Sequence, residues 1–151
     1  MTTTYPQPTA TVDLPRPAVR RVLAGSIAGV VAAAVVLLGY GALAVAVHGP
    51  MQAGDPGAAE AAPITASSFA VGVLFSSSLG IVLAVALARW GSHPARTFLR
   101  VAVVLTLVSL IAPLAASHTD VSTRLLLAVG HVVAALIVIP AILRTLRTAR
   151  G

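Results

Sequence analysis

The chain has 151 residues, of which 58% are hydrophobic and 9% charged, with a formal net charge of +6. A water-soluble domain carries about 25% charged residues, so an ordinary soluble globule is excluded. All ten basic residues are arginine and cysteine is absent, which excludes disulfides, thiolate metal or iron–sulfur sites and cysteine nucleophiles.

Residues 1–19 hold Pro6, Pro8, Pro15 and Pro17 and little apolar surface, which predicts a disordered tail. Four stretches then contain no Asp, Glu, Lys or Arg: 22–54, 61–88, 101–119 and 125–143. A hydrocarbon core ~30 Å thick is crossed by about 20 helical residues. Each stretch therefore supplies one span, predicted at 22–47, 64–90, 97–116 and 123–143, so that residues 20–147 form one membrane domain and 148–151 a short tail. Membrane strands are shorter and alternate polar with apolar residues, and no alternation is present. Unpaired backbone groups are not tolerated in lipid, which leaves helices. The first stretch also has the order of a signal peptide, with Ala44-Val45-Ala46 as a cleavage-like site. Its apolar length exceeds the ~7–15 residues of a signal core, so a retained span is expected. The predicted fold class is all-α, an integral membrane four-helix bundle.

Arginine placement sets the expected orientation. Arg16, Arg20 and Arg21 precede the first span, Arg89, Arg96 and Arg100 flank the second connection, and Arg144, Arg147 and Arg150 follow the fourth span. The other two loops hold only Arg124, together with Asp55, Glu60 and Asp120. Cytoplasmic loops collect arginine, which places both termini and the 91–96 loop in the cytoplasm. Small groups of arginine between long apolar stretches, with no basic run, argue for membrane topology and against nucleic acid as a partner. The 51–62 loop is rich in Gly, Ala and Pro and too short for a domain. The last outer loop is minimal, with Asp120 as the expected N-cap of the fourth span.

The helix faces carry the remaining signals. The second span repeats small residues every fourth position, at Ser68, Gly72, Ser76, Gly80, Ala84 and Ala88, and the first repeats them at Gly25, Gly29 and Ala33. Such stripes let membrane helices approach closely, either within one bundle or between two copies. In the third span, Ala102, Thr106, Ser109, Pro113 and Ala116 share a face, and Pro113 removes the donor that the Ser109 carbonyl would have used. His131 is the ionisable side chain placed well inside a span, seven residues beyond Arg124 and thus ~10 Å deep. Ser109 lies at matching depth in the antiparallel neighbour, so a contact between His131 and Ser109 is expected, direct or through water. Intramembrane ionisable groups suggest proton relays or substrate paths. A lone neutral histidine also serves as a hydrogen-bonding residue between helices, and no Asp or Glu accompanies it at depth.

Other chemistry is weakly signalled. His118 and Asp120 are two residues apart, but without further ligands this is no metal motif, and His48, Asp55 and Glu60 read as solvated loop polarity. Ser92 and His93 are expected to cap the third span. Ser76-Ser77-Ser78 has no neighbouring base and is not a nucleophile motif. No phosphate-binding glycine loop, zinc-protease motif or carboxylate pair occurs.

Three features carry a family resemblance: Ser109-Leu110-Ile111-Ala112-Pro113-Leu114 in the third span, His131 through Pro140 in the fourth, and the arginine-bounded loop after the second. Together they resemble the uncharacterised four-helix membrane proteins of actinobacteria grouped as domain-of-unknown-function family 6069, over most of residues 20–143. The resemblance implies location and architecture and no activity. Small multidrug exporters, quinone-linked partners of the disulfide pathway and membrane glutathione enzymes fit less well, because the glutamate, cysteine or polar intramembrane residues they need are missing. The expected function is that of a non-enzymatic plasma-membrane protein without cofactor, in contact with the lipid bilayer and with a second copy or a membrane partner. The alternative is a small carrier or channel-like protein with a polar path near His131, Ser109 and Pro113.

Overall fold

The computed structural model describes residues 16–149. Four long helical segments make up most of it. They are α1 (Arg16–His48), α2 (Ala66–Trp90), α3 (Pro94–Ser109) continued by the single turn α4 (Ile111–Leu114), and α5 (Val121–Thr148). The stretches Val19–His48, Ala66–Trp90, Pro94–Leu114 and Val121–Thr148 are each long and apolar enough to cross a membrane. The fold is the all-α bundle that the uncharged stretches predict. Two ends differ from expectation by more than a turn. Helix α1 already begins at Arg16, inside the predicted tail, because proline is tolerated in a first helical turn. Helix α5 runs on to Thr148, because nothing between Leu143 and Thr148 breaks it and Arg147 suits the negative end of the helix dipole. The disorder expected for residues 1–15 and the end of the C-terminal tail lie outside the described residues.

Helix α1 organises the packing. It buries Val22, Ser26, Val30, Ala33, Leu37, Gly41 and Ala44. Their spacing is 4-4-3-4-4-3, a narrow seam like that of a coiled coil. The seam packs on α2 and α5. A Cβ at Gly25 would stand 2.5 Å from the Thr145 methyl, and one at Gly29 would stand 2.5 Å from Ala141 Cβ. The two backbones therefore approach where small residues face each other, the means by which helices associate without a hydrophobic drive. Ala84 and Ala88 of α2, Phe98 of α3, and Val138, Ile142, Leu143 and Leu146 of α5 complete the core toward the arginine-rich end.

Pro113 interrupts the third segment. The turn around Leu110 separates α3 from α4, as expected where a ring replaces the donor for the Ser109 carbonyl. Pro140, by contrast, is accommodated within a continuous α5.

The opposite end is capped by the α1–α2 connection, and here the structure adds an element that the sequence does not announce. β1 (Met51–Ala53) pairs antiparallel with β2 (Ala62–Ile64), in the register Met51 to Ile64 and Ala53 to Ala62. Gly54 and Ser117 exchange backbone hydrogen bonds of 2.9 and 3.1 Å, tying this hairpin to the loop between α4 and α5. The Ser117 hydroxyl accepts from the Gly57 amide. Gly49 and Gly57 have φ of +90° and +84°, the left-handed region that glycine enters without penalty. Met51, the first residue of β1, is buried at 2% exposure.

Candidate functional site

The polar groups at this end form two adjoining arrangements. The first is a clasp between the end of α1 and the start of α5. Asp120 is the N-cap of α5, its Oδ1 accepting from the Thr123 amide at 2.9 Å and its Oδ2 from the Thr123 hydroxyl at 2.6 Å. The Thr123 hydroxyl hydrogen is thus committed, so Thr123 Oγ1 accepts from His48 Nε2, 3.0 Å away. His48 Nε2 also lies 3.4 Å from Asp120 Oδ1. The hydroxyl and amide of Thr123, with smaller help from His48, hold the Asp120 carboxyl down at about 2. The Arg124 guanidinium donates to the Ala116 carbonyl at 2.9 Å, and the Tyr40 hydroxyl donates to the Leu126 carbonyl at 2.8 Å while its ring meets Phe69 edge to face. Sequence reasoning finds the cap, which is local. It misses His48, whose partner lies 75 positions away.

The second arrangement is an open cleft of about 190 Å³ between the hairpin and α4–α5, with Asp55, Pro56, Ala112, Pro113, Leu127 and His131 among its lining. His131 is exposed there, and its Nδ1 lies 2.9 Å from the Leu127 carbonyl of its own helix. A carbonyl only accepts, so Nδ1 carries the hydrogen. In the neutral ring, Nε2 is then an acceptor available to a visitor. With the Asp55 carboxylate at the same cleft, the chemistry suits a ligand that donates hydrogen bonds, between walls that are mostly apolar.

Of the three polar-site residues expected from the sequence, His131 and Pro113 share this cleft and Ser109 does not. The expected direct contact between His131 and Ser109 is absent. The Ser109 hydroxyl donates to the Thr106 carbonyl at 2.8 Å. Both side chains are satisfied on their own helices, the local option open to such groups at i−3 and i−4. Among the described residues no group of three or more possible metal ligands occurs. His118 adopts φ +52° in the α4–α5 loop, and His93 rather than Ser92 is the N-cap residue of α3, with Ser92 Oγ 3.3 Å from its Nδ1.

The model of a family of unknown function, DUF6069, matches residues 17–148. The chain belongs to this family. Comparison with curated proteins and with solved structures gave no match. The DUF6069 match takes in all four long segments, the clasp and the cleft.

The helix-packing residues of this DUF6069 chain divide into two groups. Gly25 and Gly29 lie at the α1–α5 crossing. Gly80 stands in ordinary contact with Ile142, and Ala84 and Ala88 beyond it are buried. Gly72 and Ser76 are exposed, a Cβ at Gly72 would meet nothing within 4 Å, and the Ser76 hydroxyl turns back to the Gly72 carbonyl at 2.8 Å. Of the two readings of the α2 stripe, packing within one bundle therefore describes its second half and not its first. The small residues keep one register along α2, but α1 and α5 cover only part of that line, and Phe69, Val73 and Ser77 form the buried face of the first half.

Proposed function

We propose that this DUF6069 chain is a non-enzymatic, multi-pass protein of a bacterial plasma membrane, with both termini in the cytoplasm, acting through the surfaces its helices turn outward. One observation carries this reading: no more than 28% of the most apolar stretch of any span is buried within the chain, and in the third span only 11%. Faces of that extent are solvated by lipid, by a second copy or by another membrane protein. The arginines at one end and Asp55, Glu60 and Asp120 at the other support the orientation.

The cleft at His131 favours a second reading, a small carrier of a hydrogen-bond-donating solute. Reconstitution in liposomes separates the two. Proton or solute flux that disappears in His131→Ala, with helix content unchanged, supports the carrier. Absence of flux under every imposed gradient supports action by contact.

A further inference from the structure

The arginine-rich end holds a second cleft, distant from His131. It has a volume of about 340 Å³, lies between the start of α3 and the end of α5, and is lined by His93, Pro94, Ala95, Arg96, Leu146 and Arg147. Arg96 and Arg147 come from different helices and reach the same opening. Neither has a carboxylate partner among the described residues. The acids of the described chain, Asp55, Glu60 and Asp120, all belong to the hairpin end. Two guanidiniums with no carboxylate partner among the described residues face one cavity and can hold an anion, and their planar donors match phosphate oxygens. The cleft also lies at the first turn of α3, the positive end of that helix's dipole.

The surface below Arg96 identifies the kind of phosphate. Leu99, Val103 and Leu107 follow Arg96 at spacings of three, four and four, and all are exposed. They form a continuous apolar track that descends α3 from the cleft. A charged cradle with such a track beneath it has the layout of an amphiphile, head at the cleft and chain along the helix. A free phosphate would use only the first part.

We propose that this cleft binds an anionic phospholipid, its phosphate held between Arg96 and Arg147 and an acyl chain lying on Leu99, Val103 and Leu107. The site rests on the membrane reading above, and on the arginine-rich end being cytoplasmic it belongs to the inner leaflet.

The test counts lipid retained by the full chain in neutral detergent, by native mass spectrometry, after titration with phosphatidylglycerol or phosphatidylcholine. Detergent removes the collective surface potential of a bilayer, so the cleft alone is read. Phosphatidylglycerol should be retained in preference. The R96Q/R147Q pair should weaken its retention about thirtyfold, and the charge-matched R20Q/R21Q pair should weaken it less than threefold. If the double variant loses helix by circular dichroism, the single variants R96Q and R147Q give the same reading at about fivefold each. Equal losses in the two pairs, or equal retention of the two lipids, would overturn the site. Displacement of the lipid by an equal concentration of glycerol 1-phosphate would show a site for soluble phosphate and overturn the lipid assignment. A chain that stays in solution without detergent would instead overturn the membrane reading on which the site rests.

Discussion

Asp120 accepts both donors of Thr123 and faces His48, so the folded chain favours its ionised form. Its carboxyl is lowered from 3.8 to about 2. A group depressed on folding adds stability that is present above its unfolded value and lost as pH falls through its folded value. The window is therefore between about pH 4 and pH 2. Thermal unfolding in detergent should show a lower Tm for Asp120→Asn than for the parent at pH 7, with the gap closing across that window; a gap that persists at pH 2 would remove the carboxylate from the explanation. At this scale the sequence is legible where partners are close in the chain. Asp120 followed by an apolar run is an N-cap, and it caps. The His48–Thr123 bond depends on how two distant helix ends meet. A direct His131–Ser109 contact is absent for a related reason: equal depth in two helices does not fix the direction in which either side chain points, and each finds a carbonyl on its own helix.

Helix crossings separate the glycines by what stands opposite them. At Gly29 the obstacle is Ala141 Cβ, which has no rotamer to give, whereas at Gly25 it is the Thr145 methyl, which can rotate at the expense of the Thr145 bond to the Ile142 carbonyl. Overpacking of this kind costs about 1–3 kcal/mol. Gly29→Ala should fall in that range, Gly25→Ala should cost less, and Gly72→Ala should not destabilise at all. Unfolding in denaturant of the three variants ranks them, and a Gly72 variant as damaged as the Gly29 one would contradict the packing described. The spacing of small residues announces that a helix has a narrow line along it. It does not say how far along that line a neighbour extends, which is why Gly29 and Gly80 meet partners and Gly72 does not. The hairpin at Met51–Ala53 and Ala62–Ile64 was equally unreadable. Neither Met-Gln-Ala nor Ala-Pro-Ile has strand character, and the pairing follows from the helix ends that deliver them side by side and from the Gly54–Ser117 bonds.

The whole molecule was the most legible scale, because the constraint there is the strongest. Four uncharged stretches of spanning length, with no alternation of polar and apolar residues, are left with the helix to satisfy their backbones in lipid, and they give four long helices. Orientation rests on charge placement and has its own test. A reporter fused after Gly54 should read exterior and one fused after Arg150 cytoplasmic; the reverse pattern would sink the arginine argument. Function is the least legible property, since an apolar surface in lipid carries pattern without chemistry, and the groups that could do chemistry number very few.

One of the buried residues has a use that its packing does not advertise. Met51 is a buried residue of the hairpin's first strand, and the chain has one other methionine, Met1, and no cysteine. Its thioether is thus the only soft, oxidisable sulfur within the described bundle. Mild peroxide can convert it to the sulfoxide only when the hairpin lifts from the helix ends. The rate of that oxidation is a built-in clock for how often the hairpin cap opens, readable by mass without a label, and the sulfoxide, too polar for its old berth, would leave the cap unable to close again.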